Sequence, residues 1–150
     1  MKVESMIRVI LADDHALIRR GIRRILEKHP NICVVGEASN GTDAMRLVQQ
    51  LHPDVLLLDM EMPDLQGIHV VRALRAKNVP VSIIILSAYN DEHFIEEILQ
   101  AGIDGYLSKG DSPSKIREMI SRAPKKHTIV LASLLLALAL GIFPLDIFFS

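Results

Sequence analysis

Tryptophan is absent, and aromatic residues of every kind make up only 4% of the 150 residues. A chain so poor in rings offers no stacking platform for single-stranded nucleic acid. An excess of one charge is missing too. Seventeen Lys and Arg stand against 18 Asp and Glu, a formal net charge of -1, so no global basic field points to direct nucleic-acid binding by this chain. The single cysteine, Cys33, cannot close an intrachain disulfide, and its neighbours Ile32, Val34 and Val35 mark it as a small core residue. Such usage suits a reducing cytoplasm. Met1 to Met6 is short and polar, so no signal peptide is expected. His15, His29, His52, His69 and His93 are scattered and show no metal-ligand spacing.

What the chain does have is apolar sequence, 49% of it, in a regular pattern. Short apolar runs alternate with amphipathic stretches five times. Expected strands are Ile7–Ala12, Ile32–Glu37, Val55–Leu58, Val81–Leu86 and Gly105–Leu107. The first, third and fourth are almost wholly apolar, as strands covered on both faces must be. Expected helices are Ala16–Lys28, Thr42–Leu51, Ile68–Ala76, Asp91–Ala101 and Pro113–Ala123, the last with Ser112 as N-cap. This alternation implies right-handed crossovers, an α/β fold and a parallel sheet.

Two of the apolar runs end on carboxylates. Ile7–Ala12 leads into Asp13-Asp14, and the run beginning at Val55 closes on Asp59. Like charges gathered at one rim repel, and nothing in folding favours that. A divalent cation removes the objection, and a carboxylate beside it can act as a nucleophile toward phosphorus. Ligands of open parallel sheets sit beyond the carboxyl ends of the strands. Asp13, Asp14, Asp59, Ser87 and Lys109 all lie at such ends, so one rule gathers five scattered polar residues into one site. In it Mg2+ has Asp14 and Asp59 as direct ligands and Asp13 through water. A backbone carbonyl just after Asp59 adds another, which brings Glu61 into the metal set. Asp59 is the nucleophile, Lys109 pairs with a carboxylate or phosphoryl oxygen, and the Ser87 hydroxyl donates to one. Tyr106 is expected to swing between exposed and buried positions as the Ser87 loop moves, giving a two-state switch biased by local charge.

Three segments carry a resemblance: Ala12-Asp-Asp-His-Ala-Leu-Ile-Arg-Arg-Gly-Ile22, Leu58-Asp-Met-Glu-Met-Pro-Asp-Leu-Gln-Gly67 and Ala101-Gly-Ile-Asp-Gly-Tyr-Leu-Ser-Lys109. With them, residues 7 to about 123 resemble a response-regulator receiver domain of bacterial two-component signalling. The first and last segments are especially similar to the NarL/FixJ subgroup. The resemblance implies a flavodoxin-like, doubly wound five-stranded parallel sheet in the order 2-1-3-4-5 with five helices. It also implies phosphotransfer from a sensor histidine kinase to Asp59, with Asp13, Asp14, Ser87, Lys109 and Tyr106 at the family's metal, hydroxyl, lysine and aromatic switch positions. The face of the fourth and fifth helices is, by the same resemblance, the homodimer or output surface. Where many receivers have a cis proline after the lysine, Gly110 stands here, which puts the stiffness of that loop in question.

Three rival classes stand beside this reading, and the intact carboxylate cluster argues against one of them, a pure interaction module that no longer takes phosphate. An aspartate-nucleophile phosphatase carries a second aspartate two residues after the nucleophile, and that position is Glu61. A transcriptional response regulator would need the subgroup's helix-turn-helix domain, and nothing resembling it follows. The expected molecule is therefore a self-phosphorylating, autodephosphorylating receiver rather than a turnover enzyme. Its expected organisation is a receiver over 6–123, a basic linker over 124–127 and a hydrophobic tail over 128–150. From Ile129 to Leu145 the tail has no charged side chain. Its 17 residues would span about 25 Å as a helix, the low end for a membrane span. Three readings stand: an anchor tethering a cytoplasmic receiver to the membrane, a segment docked on the receiver or a partner, and a remnant in place of an output domain.

Overall fold

The computed structural model describes residues 6–88, 92–124 and 139–141. The remaining residues of the expected linker and tail, 125–138 and 142–150, lie outside the described residues. Among the described residues no helix is long and apolar enough to cross a membrane.

The strands are β1 (Ile7–Ala12), β2 (Ile32–Ala38), β3 (Val55–Asp59), β4 (Ser82–Ser87) and β5 (Gly105–Ser108). All pair in parallel in the order β2-β1-β3-β4-β5. Between them run α1 (Ala16–Glu27), α2 (Gly41–Leu51), α3 (Gly67–Ala76) and α4 (Glu92–Ala101). A fifth helix, α5, follows over 113–124. The architecture is the doubly wound flavodoxin-like one.

Side chains alternate across the sheet and build two apolar layers. Val9, Leu11, Val55, Leu57, Ile84, Leu86 and Leu107 face α1 and α5, against Ile22, Leu26, Ile116 and Ile120. Ile10, Ala12, Leu56, Leu58, Ile83 and Ile85 face α2, α3 and α4, against Ala44, Val48, Val70, Val71, Leu74 and Ile98. Cover on both faces is why the central strands carry hardly a polar residue until their last position.

The strand ends differ from the expected ones for identifiable reasons. The N–H of Val81 turns back to the carbonyl of Val79 at 2.9 Å, and the ladder begins at Ser82, whose N–H reaches the carbonyl of Asp54 at 3.0 Å. β4 therefore runs one residue later and has Ser87 as its last member. α5 starts as the Ser112-Pro113 pair implies, with the N–H of Lys115 donating to Ser112 Oγ at 3.2 Å.

Two glycines let loops close onto the upper rim. A Cβ at Gly41 would stand 2.1 Å from the carbonyl oxygen of Leu65, and one at Gly67 would stand 2.8 Å from that of Asp59. At these positions the absence of a side chain is what allows the β3–α3 loop to pack down beside the carboxylates.

Candidate functional site

β1, β3 and β4 are neighbours, so their carboxyl ends share one rim. Asp59 is the last residue of β3 and Ser87 the last of β4, and both are buried, 3% and 1% exposed. Asp13 follows β1 directly and is 5% exposed. Lys109 follows β5, and its N–H donates to the carbonyl of Ser87 at 2.9 Å, locking the ends of β4 and β5 together.

The Lys109 side chain reaches across the rim. Its Nζ lies 3.2 Å from Asp59 Oδ2 and 3.2 Å from Asp13 Oδ2. The contact with Asp59 is a directed hydrogen bond. The contact with Asp13 is an ion contact only, which leaves the buried Oδ2 of Asp13 with no hydrogen-bond partner. The other oxygens are held from the backbone: Asp59 Oδ1 accepts the N–H of Glu61 at 3.2 Å, and Asp13 Oδ1 accepts that of His15 at 2.8 Å.

Burial raises the Asp59 carboxyl above its ordinary value, opposed by the Glu61 N–H, raised further by the Asp13 charge and opposed by Lys109. Burial works to lower Lys109, but the charges of Asp59 and Asp13 outweigh it and leave the ammonium raised.

A divalent cation fits this donor set. Carboxylate oxygens of Asp13, Asp14 and Asp59 and a ring nitrogen of His15 all lie within 4.8 Å of one another. Octahedral Mg2+ at its usual bond length places neighbouring donors about 3 Å apart and opposite ones about 4 Å apart. Asp13 Oδ2, buried and met by the Lys109 ammonium alone at 3.2 Å, is the kind of atom that such an ion, or water bound to it, would also serve.

Of the residues singled out from sequence, Asp13, Asp14, Asp59 and Lys109 come together, with Ser87 bonded to Lys109 through the backbone. Glu61 is exposed, and its carboxylate stands outside the group of possible donors; it touches the site through its main chain. Tyr106 is half-buried and packs against the layer under α3 and α4.

Three residues escaped the sequence reading. His15, grouped there with unconnected histidines, sets its Nδ1 3.1 Å from Asp13 Oδ1 and 3.0 Å from Asp14 Oδ1. Arg19, one of four arginines on α1, donates from Nη1 to the carbonyl of Asp13. Asp111 accepts the N–H of Ser108 at 2.8 Å and returns its own N–H to the Ser108 carbonyl at 3.0 Å. That closed turn holds the loop after Lys109 without a proline. The Ser-x-x-Asp spacing of 108 to 111 was its available signal.

The family model of the response regulator receiver domain matches residues 9–121. Response regulator UvrY of Escherichia coli is 44% identical over 111 residues, 74% of this chain and 51% of that protein. The nitrate/nitrite response regulator protein homolog of Haemophilus influenzae is 36% identical over 128 residues, 85% of this chain and 62% of that protein. The chain thus spans roughly half to three-fifths of the length of these curated relatives. Among solved structures, the signal receiver domain of the response regulator NarL from Mycobacterium tuberculosis superposes with a TM-score of 0.79 at 34% identity, covering 81% of this chain and 98% of that one. The isolated REC domain of RcsB from Salmonella enterica serovar Typhimurium, in the presence of the phosphomimetic BeF3-, gives 0.75 at 29% identity, covering 81% and 90%.

Proposed function

This chain belongs to the response regulator receiver family, and on that premise we propose that it is a phosphoacceptor switch in which Asp59 takes a phosphoryl group from a sensor histidine kinase. The carrying observation is the convergence of Asp13, Asp14 and Asp59 on one rim with Lys109 between two of them. Nothing in stability favours that arrangement on its own, and phosphoryl transfer uses it.

In the proposed step an oxygen of Asp59 attacks the phosphorus of a phosphohistidine on the kinase. The phosphorus–nitrogen bond breaks, and the ring nitrogen keeps the electron pair and takes a proton. Asp14 and Asp59 would hold Mg2+, with Asp13 assisting through water and Glu61 through its main chain. The ion, when bound, supplies charge neutralisation at the transferring group. Lys109 neutralises a second phosphoryl oxygen, and the Ser87 hydroxyl donates to a third. Because the Ser87 carbonyl accepts the Lys109 N–H, the two loops move as a unit toward the new charge. Tyr106, beside that unit in β5, reports the movement to the face formed by α4 and α5, where a homodimer or an output partner would bind. The RcsB domain prepared with a phosphoryl mimic supports this reading by analogy.

We propose a receiver over 6–123, a linker over 124–127 and a separate tail over 128–150, in a cytoplasmic protein, with membrane contact by the tail as a further element to be tested. A second reading is favoured by the relatives' lengths. In that reading the chain acts as the receiver part of a transcriptional regulator, by analogy with the transcriptional regulatory protein YdfI of Bacillus subtilis, 58% of which it covers.

Incubation with acetyl phosphate and Mg2+, followed by intact mass spectrometry, tests the function. The parent chain should gain the mass of one phosphoryl group and Asp59→Asn none. Labelling of the variant equal to the parent, or none of the parent, overturns the proposal.

A further inference from the structure

Lys109 is held beside Asp59 by a loop that packing does little to stiffen. Gly110 follows it, exposed, and a Cβ there would meet nothing nearer than Ser108 Oγ at 3.8 Å. Residues 108–111 form a turn closed by the N–H of Asp111 on the carbonyl of Ser108 at 3.0 Å. Neither central residue, Lys109 nor Gly110, has a positive φ, so the turn does not require glycine. A glycine in that place leaves the backbone free, and no neighbour is packed against it to take the freedom away. Hydrogen bonds supply the restraint instead. The N–H of Lys109 donates to the Ser87 carbonyl at 2.9 Å, so the N–H of Ser108, one residue earlier in an extended strand, faces the open edge of the sheet. Asp111 Oδ2 accepts that N–H at 2.8 Å, and the N–H of Gly110 donates to Ser108 Oγ at 3.3 Å. The Asp111 carboxyl is held below its ordinary value first by the Ser108 N–H. Lys115 Nζ also meets Asp111 Oδ1 at 3.2 Å, but the lysine side chain is 57% exposed, and such a pair contributes little. The N-cap of α5 is Ser112, not Asp111. The carboxylate therefore acts chiefly on Ser108.

We infer that Asp111 is a positioning residue for Lys109: by closing the turn on both sides of the lysine it fixes where the ammonium stands between Asp13 and Asp59. The inference rests on the reading in which Lys109 neutralises a phosphoryl oxygen, and it adds what keeps Lys109 in place. An ammonium on a flexible four-carbon stem keeps its contacts only if the start of the stem is fixed. Phosphoryl transfer depends almost entirely on positioning and charge neutralisation, so drift at the Lys109 backbone is felt at the phosphorus. Asp111 itself is not among the possible metal donors and acts through Lys109 alone. Because the Lys109 N–H is bonded to Ser87, the closed turn moves with the end of β4 as one body.

The test uses the whole chain as parent, Asp111→Ala, Asp111→Asn, and Asp111→Ala combined with Gly110→Ala. Phosphorylation by acetyl phosphate with Mg2+ is timed by intact mass. The Lys109 ammonium is followed by proton–nitrogen NMR of lysine side chains, in which an ammonium held in hydrogen bonds exchanges slowly enough to be seen. Asp111→Ala should slow phosphorylation about tenfold, short of the roughly hundredfold that a misplacement of about 1 Å can cost, and should weaken the Lys109 signal. Asparagine keeps an acceptor for the Ser108 N–H and should restore most of both. Gly110→Ala has room for its Cβ and narrows the freedom of the chain, so it should restore part of both with no carboxylate present. Melting temperatures check that every variant folds. Equal rates and equal Lys109 signals in the parent and Asp111→Ala overturn the inference. So does a slowed Asp111→Ala whose Lys109 signal is intact, and so does an Asp111→Asn no better than Asp111→Ala, which would assign the effect to charge. A parent that takes no phosphoryl group overturns the phosphoacceptor reading alone, and the Lys109 signal then sustains or sinks the positioning role.

Discussion

Arg19 donates from Nη1 to the main-chain carbonyl of Asp13 at 2.6 Å. The N–H of the same aspartate donates to the carbonyl of Ala38 at 3.0 Å, so the Asp13 residue is held from both sides. Glu37, beside Ala38, receives Arg19 Nε at 3.1 Å and Arg23 Nη1 at 2.6 Å. The turn carrying Asp13 and Asp14 is thus pinned to the end of β2 by a fork from α1. Arg19 also lines a small cavity together with Asp13 and Asp59.

Arg19→Gln should therefore loosen the carboxylate pair before it unfolds the domain. Divalent-ion affinity should fall about tenfold, in line with loss of an outer-shell support, while stability drops by roughly 1–2 kcal/mol for one charged hydrogen-bond donor. Arg19→Lys keeps the charge but not the fork and should recover only part of the affinity. Mn2+ titration and urea unfolding of the same samples separate the two effects. A full loss of stability with unchanged affinity in the folded fraction would give Arg19 a purely architectural role.

The fold was legible because β1, β3 and β4 are covered on both faces, and burial of that kind writes continuous apolar runs into the chain. The five strand-end residues were legible for the same reason: a polar residue closing such a run is out of place unless it has work to do. Contacts made across sequence were not. Arg19 sits six residues after its acceptor on a helix rich in arginines, and nothing in the pattern distinguishes it from Arg20, which is exposed. His15 was hidden because the pattern does not say which way a side chain in the turn after β1 points; in the fold its Nδ1 meets Asp13 Oδ1 at 3.1 Å and Asp14 Oδ1 at 3.0 Å. Asp64 was hidden because its partners at α2 lie more than 20 residues earlier.

Lys109→Ala removes the cation between Asp13 and Asp59 and leaves two buried carboxylates facing each other. Mg2+ then has no competitor for their charge. Its affinity should rise several-fold, on the order of 1 kcal/mol for an ion contact near the surface, while the conformational response to phosphoryl mimic weakens. Isothermal titration with Mg2+ and a Tyr106 fluorescence change on adding BeF3- provide the two readouts. Weaker Mg2+ binding in the variant would mean that Lys109 organises the carboxylates rather than competing for them.

Asp59 has a folded-state pKa above its unfolded one, chiefly through burial. A carboxyl shifted this way favours the folded state where it is protonated, and that advantage is lost as pH rises through the folded pKa. At neutral pH without metal its charge works against the fold. Asp59→Asn should raise the melting temperature in chelator by about 4 °C, roughly 1 kcal/mol for a domain of this size. The gain should shrink on acidification toward the carboxylate range and shrink again when Mg2+ is added to both proteins. A gain that stayed constant across pH would assign it to packing instead of charge.

Asp64 works in the opposite sense. It lies in the left-handed region at φ 67° and reaches back from the β3–α3 loop to the start of α2. Its Oδ1 accepts the N–H of Gly41 at 3.1 Å and that of Thr42 at 3.4 Å, and it also accepts the N–H of Leu65. The carboxyl is held below its ordinary value first by the Thr42 hydroxyl and then, against a small burial effect, by the Leu65, Thr42 and Gly41 N–H groups. A depressed carboxyl contributes stability that is present above its unfolded pKa and lost as pH falls through the folded pKa. The charge also faces the positive end of the α2 dipole. Asp64→Asn keeps an acceptor and tolerates the left-handed backbone but carries no charge. It should be less stable than the parent at neutral pH, with the two melting curves converging as pH drops below the ordinary carboxylate range. Because this loop lies against Gly41 and leads from Asp59 to Gly67, the same variant should exchange amide hydrogens faster at Gly41 and Thr42 than at the unrelated start of α5. Equal exchange at both helix starts would show that the cap does not tie the β3–α3 loop to α2.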